Sequence, residues 1–399
     1  MRAVAPLSSS ETVEEQCSDV LRDSATRTLS EVIDKGPRTL TELGNAAGVS
    51  RPTIRRTVDL LISKGYLRDC DPRSTDVGRP ARTIALASGA TSVLGIVVTE
   101  TRTRLRLASV TGCDRGSVEI DSAHLTREDD PGSWINVVDH EISTLCRSAD
   151  VPMSSIDTAV VSVSGIVTPQ GSVRYSIATP AFAGCELAEL LRARTGIEDI
   201  LVENDTVLCA LGEMRTGAAR DLEDFLYVRT HRTVHPALVI GGEVHRGADS
   251  AVGESDILQR LGIVPETMVI DGVEIPFLQV GTCLDRGELG RDWLSAFVDV
   301  YSRMLAALSY ITDPEAIVIS GGETTTSRDC LDRIEQYIAS TRVTSRSPRL
   351  LAGRGEADVG LLGALHLATH RALAREFGTT TDLPVPTIDT GLTQGGVQK

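Results

Sequence analysis

Two apolar periodicities divide the chain. Between Val20 and Ile62 apolar side chains recur every three or four residues, the spacing of one helical face, while from Val93 onward branched aliphatic runs alternate with amphipathic stretches. Val20, Leu21, Ala25, Leu29, Val32 and Ile33 predict an amphipathic helix over 16–36. Leu40, Leu43, Ala46 and Ala47 predict the buried stripe of a second helix, capped by Thr39 or Thr41 with Glu42 in its first turn. Gly48 supplies a tight turn, and Ser50 is a natural N-cap for a third helix. Pro52 falls in that helix's first turn, where a missing N–H costs nothing, and Gly65 ends it. Val49, Ile54, Val58, Leu61 and Ile62 form its apolar face. Tyr66-Leu67-Arg68 and Arg82 to Leu86 then read as paired strands around a polar loop, Asp71 to Pro80.

The other face of the third helix carries Ser50, Arg51, Thr53, Arg55 and Arg56, with no acid until Asp59. Over residues 37–82 nine Lys/Arg stand against five Asp/Glu, a local +4 in a chain of net charge −15, so the remainder carries −19. A basic island in an acidic chain suits one module that docks phosphates while the rest does something else. The pattern predicts a winged helix-turn-helix over 16–88. Its partner is a double-stranded DNA operator, with Ser50, Arg51, Thr53, Arg55 and Arg56 toward the major groove. Arg79, in the wing tripeptide Gly78-Arg79-Pro80, is expected to enter the minor groove. The plainer alternatives are a helical hairpin with a solvated basic face and a solvated loop arginine.

Beyond Ser88 the reading is α/β. Leu94 to Val98 is a buried strand, Arg102 to Val110 its hairpin partner, and Trp134 to Cys146 a helix. Thr158 to Val163 is a strand entering a glycine turn at Gly165; a helix from Cys185 to Thr195 follows. Ile200 to Asp205 is a strand ending on Asn204 and Asp205, with a helix running to Met214; Phe225–Arg229 and Ala237–Ile240 are further strands. Alternating strands and helices place ligand chemistry at strand ends. Aromatic residues make up only 3% of 399 residues, so the core must be aliphatic. Eight scattered cysteines without a C-x-x-C pair argue against structural zinc or a disulfide framework and for buried, reduced thiols. No apolar run reaches membrane-spanning length and no signal core stands at the N-terminus, so a cytoplasmic protein without membrane partners is expected. Residues 1–15 and 376–399 read as disordered tails flanking the 16–88 module and an effector and dimerisation domain over 89–375.

The order of these pieces resembles the ROK family (repressors, uncharacterised reading frames and sugar kinases), and the winged helix ahead of the α/β region resembles its repressor branch. The matching residues are Gly165-Ile166-Val167, Val202-Glu203-Asn204-Asp205, Gly242 to Gly247, Gly253-Glu254, and Asp313 to Gly322. The resemblance implies a two-lobed actin/hexokinase-like α/β domain. It also implies a sugar pocket that includes Gly165, Asn204, Asp205 and Glu254, and a glycine turn at Gly321-Gly322 that abuts the nucleotide in kinase members. In a kinase, Asp205 would be the general base. The plainer alternatives are an N-cap for the helix after Asn204-Asp205 and a surface carboxylate for Glu254.

The departures from the family are as informative. Its Asp-x-Gly-Gly-Thr loop aligns with Val97-Val98-Thr99-Glu100-Thr101, and its second glycine-rich loop with His231-Arg232-Thr233-Val234-His235-Pro236-Ala237. Without those glycines no nest of backbone N–H groups cradles phosphate. The zinc histidine is replaced by Ile257 and the zinc cysteine loop is reduced to Cys283, with Asp285 the nearest counterpart of the sugar-binding glutamate that follows it. The expectation is no cofactor, no metal and no catalytic residues. The protein is expected to be a homodimeric or dimer-of-dimers repressor of sugar uptake or catabolism genes that senses a sugar. A regulator with a non-sugar or absent effector is the alternative, and an active kinase the remote one.

Overall fold

The computed structural model describes residues 11–70, 82–89, 91–123, 131–176, 178–230, 235–254, 262, 264–343 and 346–378. The N-terminal module comprises α1 (Glu11–Lys35), β1 (Arg38–Thr39), α2 (Leu40–Ala47), α3 (Arg51–Ser63), β2 (Leu67–Cys70) and β3 (Thr83–Leu86), with a small antiparallel sheet ordered β1-β3-β2. Helix α1 starts upstream of the expected residue 16. Local chemistry sets the turns. Thr39 and Glu42 form a reciprocal capping box on α2. Gly48 and Gly65 both adopt left-handed backbone and close Schellman pairs, Val49 N–H to the Gly44 carbonyl and Tyr66 N–H to the Leu61 carbonyl. Lys64, one residue before Gly65, is the C-cap of α3. Ala46 is exposed, and Gly44 takes its expected place in the buried stripe of α2.

The first lobe of the α/β domain contains β4 (Ser92–Val98), β5 (Arg102–Ser109), β6 (Asp114–Asp121), α4 (Gly132–Ser148), β7 (Ile156–Val163), β8 (Ile166–Val167), β9 (Val173–Tyr175), α5 (Leu187–Thr195), β10 (Asp199–Asn204) and α6 (Asp205–Thr216). The second contains β11 (Phe225–Arg229), β12 (His235–Ile240), β13 (Glu243–His245), β14 (Thr267–Ile270), β15 (Val273–Pro276), α7 (Phe277–Asp285), α8 (Arg291–Thr312), β16 (Ala316–Ser320), α9 (Arg328–Thr341), β17 (Arg349–Ala352) and α10 (Glu356–Phe377). The two five-stranded sheets repeat one plan. In the order β10-β7-β4-β5-β6 the first three strands are parallel and the last two form an antiparallel meander; β17-β16-β11-β12-β13 does the same. The helices that follow the last strand of each lobe, α6 and α10, pack together between the sheets.

Strand alternation sorts the faces. Leu94, Ile96 and Val98 pack toward α4 and α5 around Trp134 and Phe182, while Val93 and Gly95, on the other face, meet α10. On β11, Leu226 and Val228 face the α7–α9 layer, whereas Phe225 and Tyr227 face α6 and α10. The cluster that holds the N-terminal module does not end at its boundary. Leu43, Ile54, Val58, Leu61 and Tyr66 join Val93, Ala108, Leu365, Leu373 and Phe377 in one buried group, and the Tyr66 and Phe377 rings lie 5.3 Å apart. An ion pair between Lys64 and Glu376 rims this junction. Arg115 clamps the linker, donating to the Ser88 and Gly89 carbonyls.

Candidate functional site

On α3 the buried residues Ile54, Thr57, Val58 and Leu61 recur at helical spacing, leaving Arg51, Pro52, Arg55, Arg56 and Asp59 on the exposed side. Thr57 belongs inside because its hydroxyl meets Ser24 of α1 at 3.0 Å. Among the described residues Arg51, Arg55 and Arg56 have no in-chain acid or hydrogen-bond partner, so three guanidinium groups on this face are open to an external anion. Ser50 sits at the N-cap position, but its hydroxyl bonds the Thr53 hydroxyl at 2.8 Å rather than a backbone N–H, and Thr53 is half-buried. Arg82, counted in the basic island, is held by Asp69 and by Asp59 at 3.3 Å, which lowers its availability to phosphate. Arg79 and the rest of the expected wing loop, 71–80, lie outside the described residues.

The second candidate lies between the lobes, at the C-terminal ends of β7, β10 and β11. Asn204 caps α6: its Oδ1 accepts from the N–H groups of Thr206 at 2.8 Å and Val207 at 3.1 Å. Its Nδ2 donates to the Gly165 carbonyl at 2.8 Å. Gly165 has φ +128°, and a Cβ there would stand 2.0 Å from the Tyr175 carbonyl oxygen, so only glycine fits. The backbone therefore uses much of Asn204's polar capacity, in keeping with the capping alternative.

Asp205 is committed too. Its Oδ2 accepts from Arg229 Nη1 at 2.6 Å, with both side chains largely buried (14% and 11% exposed), and its Oδ1 accepts from Thr206 N–H at 2.8 Å. Burial pushes its carboxyl up, but Arg229, His235 and the Thr206 N–H outweigh that and hold it below the ordinary carboxylate value. Next to it, Glu203 takes Arg246 Nη2 at 2.7 Å and Nε at 2.9 Å. Both arginines come from the second lobe and both carboxylates from the strand end of the first, so the pairs bridge the cleft. Arg229 was not anticipated from sequence. Its one signal is a charge at the end of Phe225-Leu226-Tyr227-Val228, on the same alternation as Phe225 and Tyr227.

Glu254 is half-buried in the loop after β13, where its N–H donates to the Ala251 carbonyl. The other end of that loop, 255–261, and His231 lie outside the described residues, while His235 starts β12 and its Nδ1 lies 3.2 Å from the Gly253 carbonyl oxygen. No group of three or more His, Cys, Asp or Glu converges as metal ligands among the described residues. Nor is any described helix long and apolar enough to cross a membrane. Of the cysteines, 146, 209 and 330 are buried as expected, whereas Cys113 is exposed.

Residues 88–255 match the model of the ROK family. The bifunctional enzyme NanE/NanK of Brucella melitensis is 30% identical over 182 residues, 42% of this chain and 35% of the relative. The DNA-binding transcriptional dual regulator NagC of Escherichia coli is 21% identical over 247 residues, 60% of this chain and 58% of the relative. The chain thus spans only part of the length of either. A solved ROK family transcriptional regulator, a homologue of the E. coli MLC protein, superposes with a TM-score of 0.64 at 18% identity, covering 89% of this chain and 97% of that one. The ROK hexokinase of Thermus thermophilus gives 0.54 at 17% identity, over 72% and 100%. At such identities the structural likeness establishes the fold: a mixed α/β architecture common to ROK regulators and hexokinase-like ROK proteins. The two lobes flanking the Asn204–Asp205 strand end are built on that plan, and the chain carries a ROK family domain over residues 88–255.

Proposed function

We propose that this protein is a sequence-specific DNA-binding transcriptional regulator, a repressor of sugar uptake or catabolism genes, whose α/β domain senses a sugar or sugar derivative without transferring phosphate. The observation that carries the DNA-binding half is the exposed face of α3, where Arg51, Arg55 and Arg56 have no in-chain partner among the described residues. A regulator among its relatives and structural neighbours supports the same reading. Two protomers paired through the α/β domain would present two α3 helices to a two-fold-symmetric operator in the cytoplasm. Genomic fragments enriched on the purified protein should yield one recurrent motif, and Arg55→Ala with Arg56→Ala should abolish the enrichment. Enrichment without any recurrent motif, or unaffected by both substitutions, would reject the reading.

Asp205 supports the reading without catalysis. A general base must be free to accept the proton of an attacking hydroxyl, and a carboxylate held below its ordinary pKa by Arg229 is a poor acceptor. The same pair favours a second reading, a regulator whose effector is not a sugar or is missing, because Asn204 and Asp205 already spend their hydrogen bonds inside the chain. Thermal shift with hexoses and amino sugars separates the two. A ligand at 100 times its dissociation constant adds about 2.7 kcal/mol, and a flat response across the panel removes the sugar.

A further inference from the structure

The resemblance assigns the Gly321-Gly322 turn, after β16, to the approach of a nucleotide. Neither glycine has a left-handed backbone, so backbone conformation does not demand glycine there. Close approach does, and the approaching atoms are the chain's own. A Cβ on Gly322 would fall 2.2 Å from the Asp285 carboxyl carbon, and one on Gly321 would fall 1.9 Å from the Thr230 hydroxyl. Asp285, the last residue of α7, inserts its carboxylate into the turn. Oδ2 accepts from the Gly322 N–H at 2.9 Å, and Oδ1 from the N–H groups of Thr324 and Thr325, each at 3.0 Å. The Thr325 hydroxyl reaches both oxygens, at 3.3 and 3.1 Å, and is itself buried and 3.0 Å from the Thr230 hydroxyl. Among the described residues no arginine or lysine pairs with Asp285, so N–H and O–H dipoles alone hold its charge, as such dipoles hold a bound oxyanion.

We propose that the Gly321–Thr325 turn is an anion-binding nest that this chain fills permanently with its own Asp285 carboxylate, closing the position to a nucleotide. Gly322 makes room for that internal ligand, and Gly321 for the Thr230 and Thr325 hydroxyls behind it. The assignment is independent of DNA binding, because it concerns a turn in the second lobe and is read by stability. In the full-length protein, Asp285→Ala should melt at a lower temperature than wild type. Sodium formate at tens of millimolar should recover most of that loss relative to sodium chloride at equal ionic strength, while leaving wild type unmoved. No recovery, or an equal formate effect on wild type, overturns the proposal. Gly322→Ala supplies a second readout. It should lower the melting temperature in wild type and have little effect in an Asp285→Gly background, where the carboxyl group and the Cβ that stand 2.2 to 2.5 Å from the added methyl are both gone. Equal effects in both backgrounds overturn the assignment of the glycine to Asp285. If Asp285→Ala does not fold, Asp285→Asn, which keeps the shape without the charge, should still melt below wild type, and a variant as stable as wild type overturns the proposal. ATP should not stabilise wild type, and a rise in its melting temperature with ATP overturns the closure.

Discussion

Arg229→Met isolates one of the two charge pairs that bridge the cleft. The substitution keeps an unbranched side chain at the end of β11 but leaves the Asp205 carboxylate buried without its ion-pair partner. The pair is close, at 2.6 Å, and both side chains are largely buried. Removing one partner of such a pair costs about 3–5 kcal/mol, a large share of the roughly 5–15 kcal/mol that holds a domain folded. The cost must depend on pH. In wild type the folded pKa of Asp205 lies below the ordinary value of 3.8, so the stabilisation is present above that value and is lost as pH falls through the folded pKa. In Arg229→Met burial dominates, and the folded pKa moves above the unfolded one. The variant's penalty is then absent below the unfolded pKa and grows as pH rises through the raised folded value. Urea unfolding of both proteins between about pH 4 and pH 8 should give a stability gap that is widest at the alkaline end and narrows in acid. Adding Asp205→Leu to Arg229→Met should restore much of the loss, because an apolar pair of similar volume replaces a buried ion pair at little cost. A gap that is constant with pH, or a double variant no better than the single one, would refute the assignment of the cost to an uncompensated Asp205 charge.

Three further outcomes follow from other parts of the molecule. Arg55→Ala and Arg56→Ala should each weaken operator binding in fluorescence anisotropy and, where the guanidinium neutralises a phosphate, reduce the slope of log affinity against log salt by about 1; an unchanged slope in both would move the DNA-binding surface off α3. Phe377→Ala removes a side chain 6% exposed and packed on Tyr66, and should cost about 3–5 kcal/mol in urea unfolding; a loss under about 1 kcal/mol would mean that the junction carries little of the stability. His366, buried on α10, accepts from Arg215 Nε at 2.8 Å, and burial with Arg215 and His370 nearby holds its pKa well below 6.5. The native state then refuses a proton that the unfolded chain takes up, so stability should fall below about pH 6.5 by up to about 1.4 kcal/mol per pH unit, and His366→Gln should flatten that slope.

What the sequence disclosed depended on whether the determinants were local. A threonine cap with Glu42 in the first turn, the turns at Gly48 and Gly65 and the helical face of α3 are written within a few residues of one another, and the structure keeps them, with Thr39 as the cap and Glu42 closing a capping box on it. The strand ending in Asn204-Asp205 was equally plain, because an apolar run stops at two polar residues. The partners of those residues were not. Arg229 is 24 positions from Asp205 and Arg246 is 43 from Glu203, and only the meeting of two lobes brings them together. Strand β6 went unread because Asp114–Asp121 is an exposed edge with few apolar positions. The duplicated sheet plan left no repeat in the residues, since a sheet order can recur with any aliphatic filling. Asp285 reads in sequence as a remnant of a sugar ligand; its carboxylate instead serves the turn after β16, a pairing across 37 to 40 residues.

The buried group shared by α3, β4 and α10 ties the N-terminal module to the last described helix. Tyr66 packs on Phe377, and Leu61, Leu373 and the sheet residues Val93 and Ala108 lie in the same cluster. A terminal module hung from a linker opens on its own, and its amides exchange with solvent while the rest of the protein stays closed. This one has no such private opening: uncovering the core of α3 also strips the last turns of α10. The amides of both helices should therefore exchange through a single shared event, so the protein must spend its sub-global stability on α3 and α10 together to release the surface proposed to meet DNA.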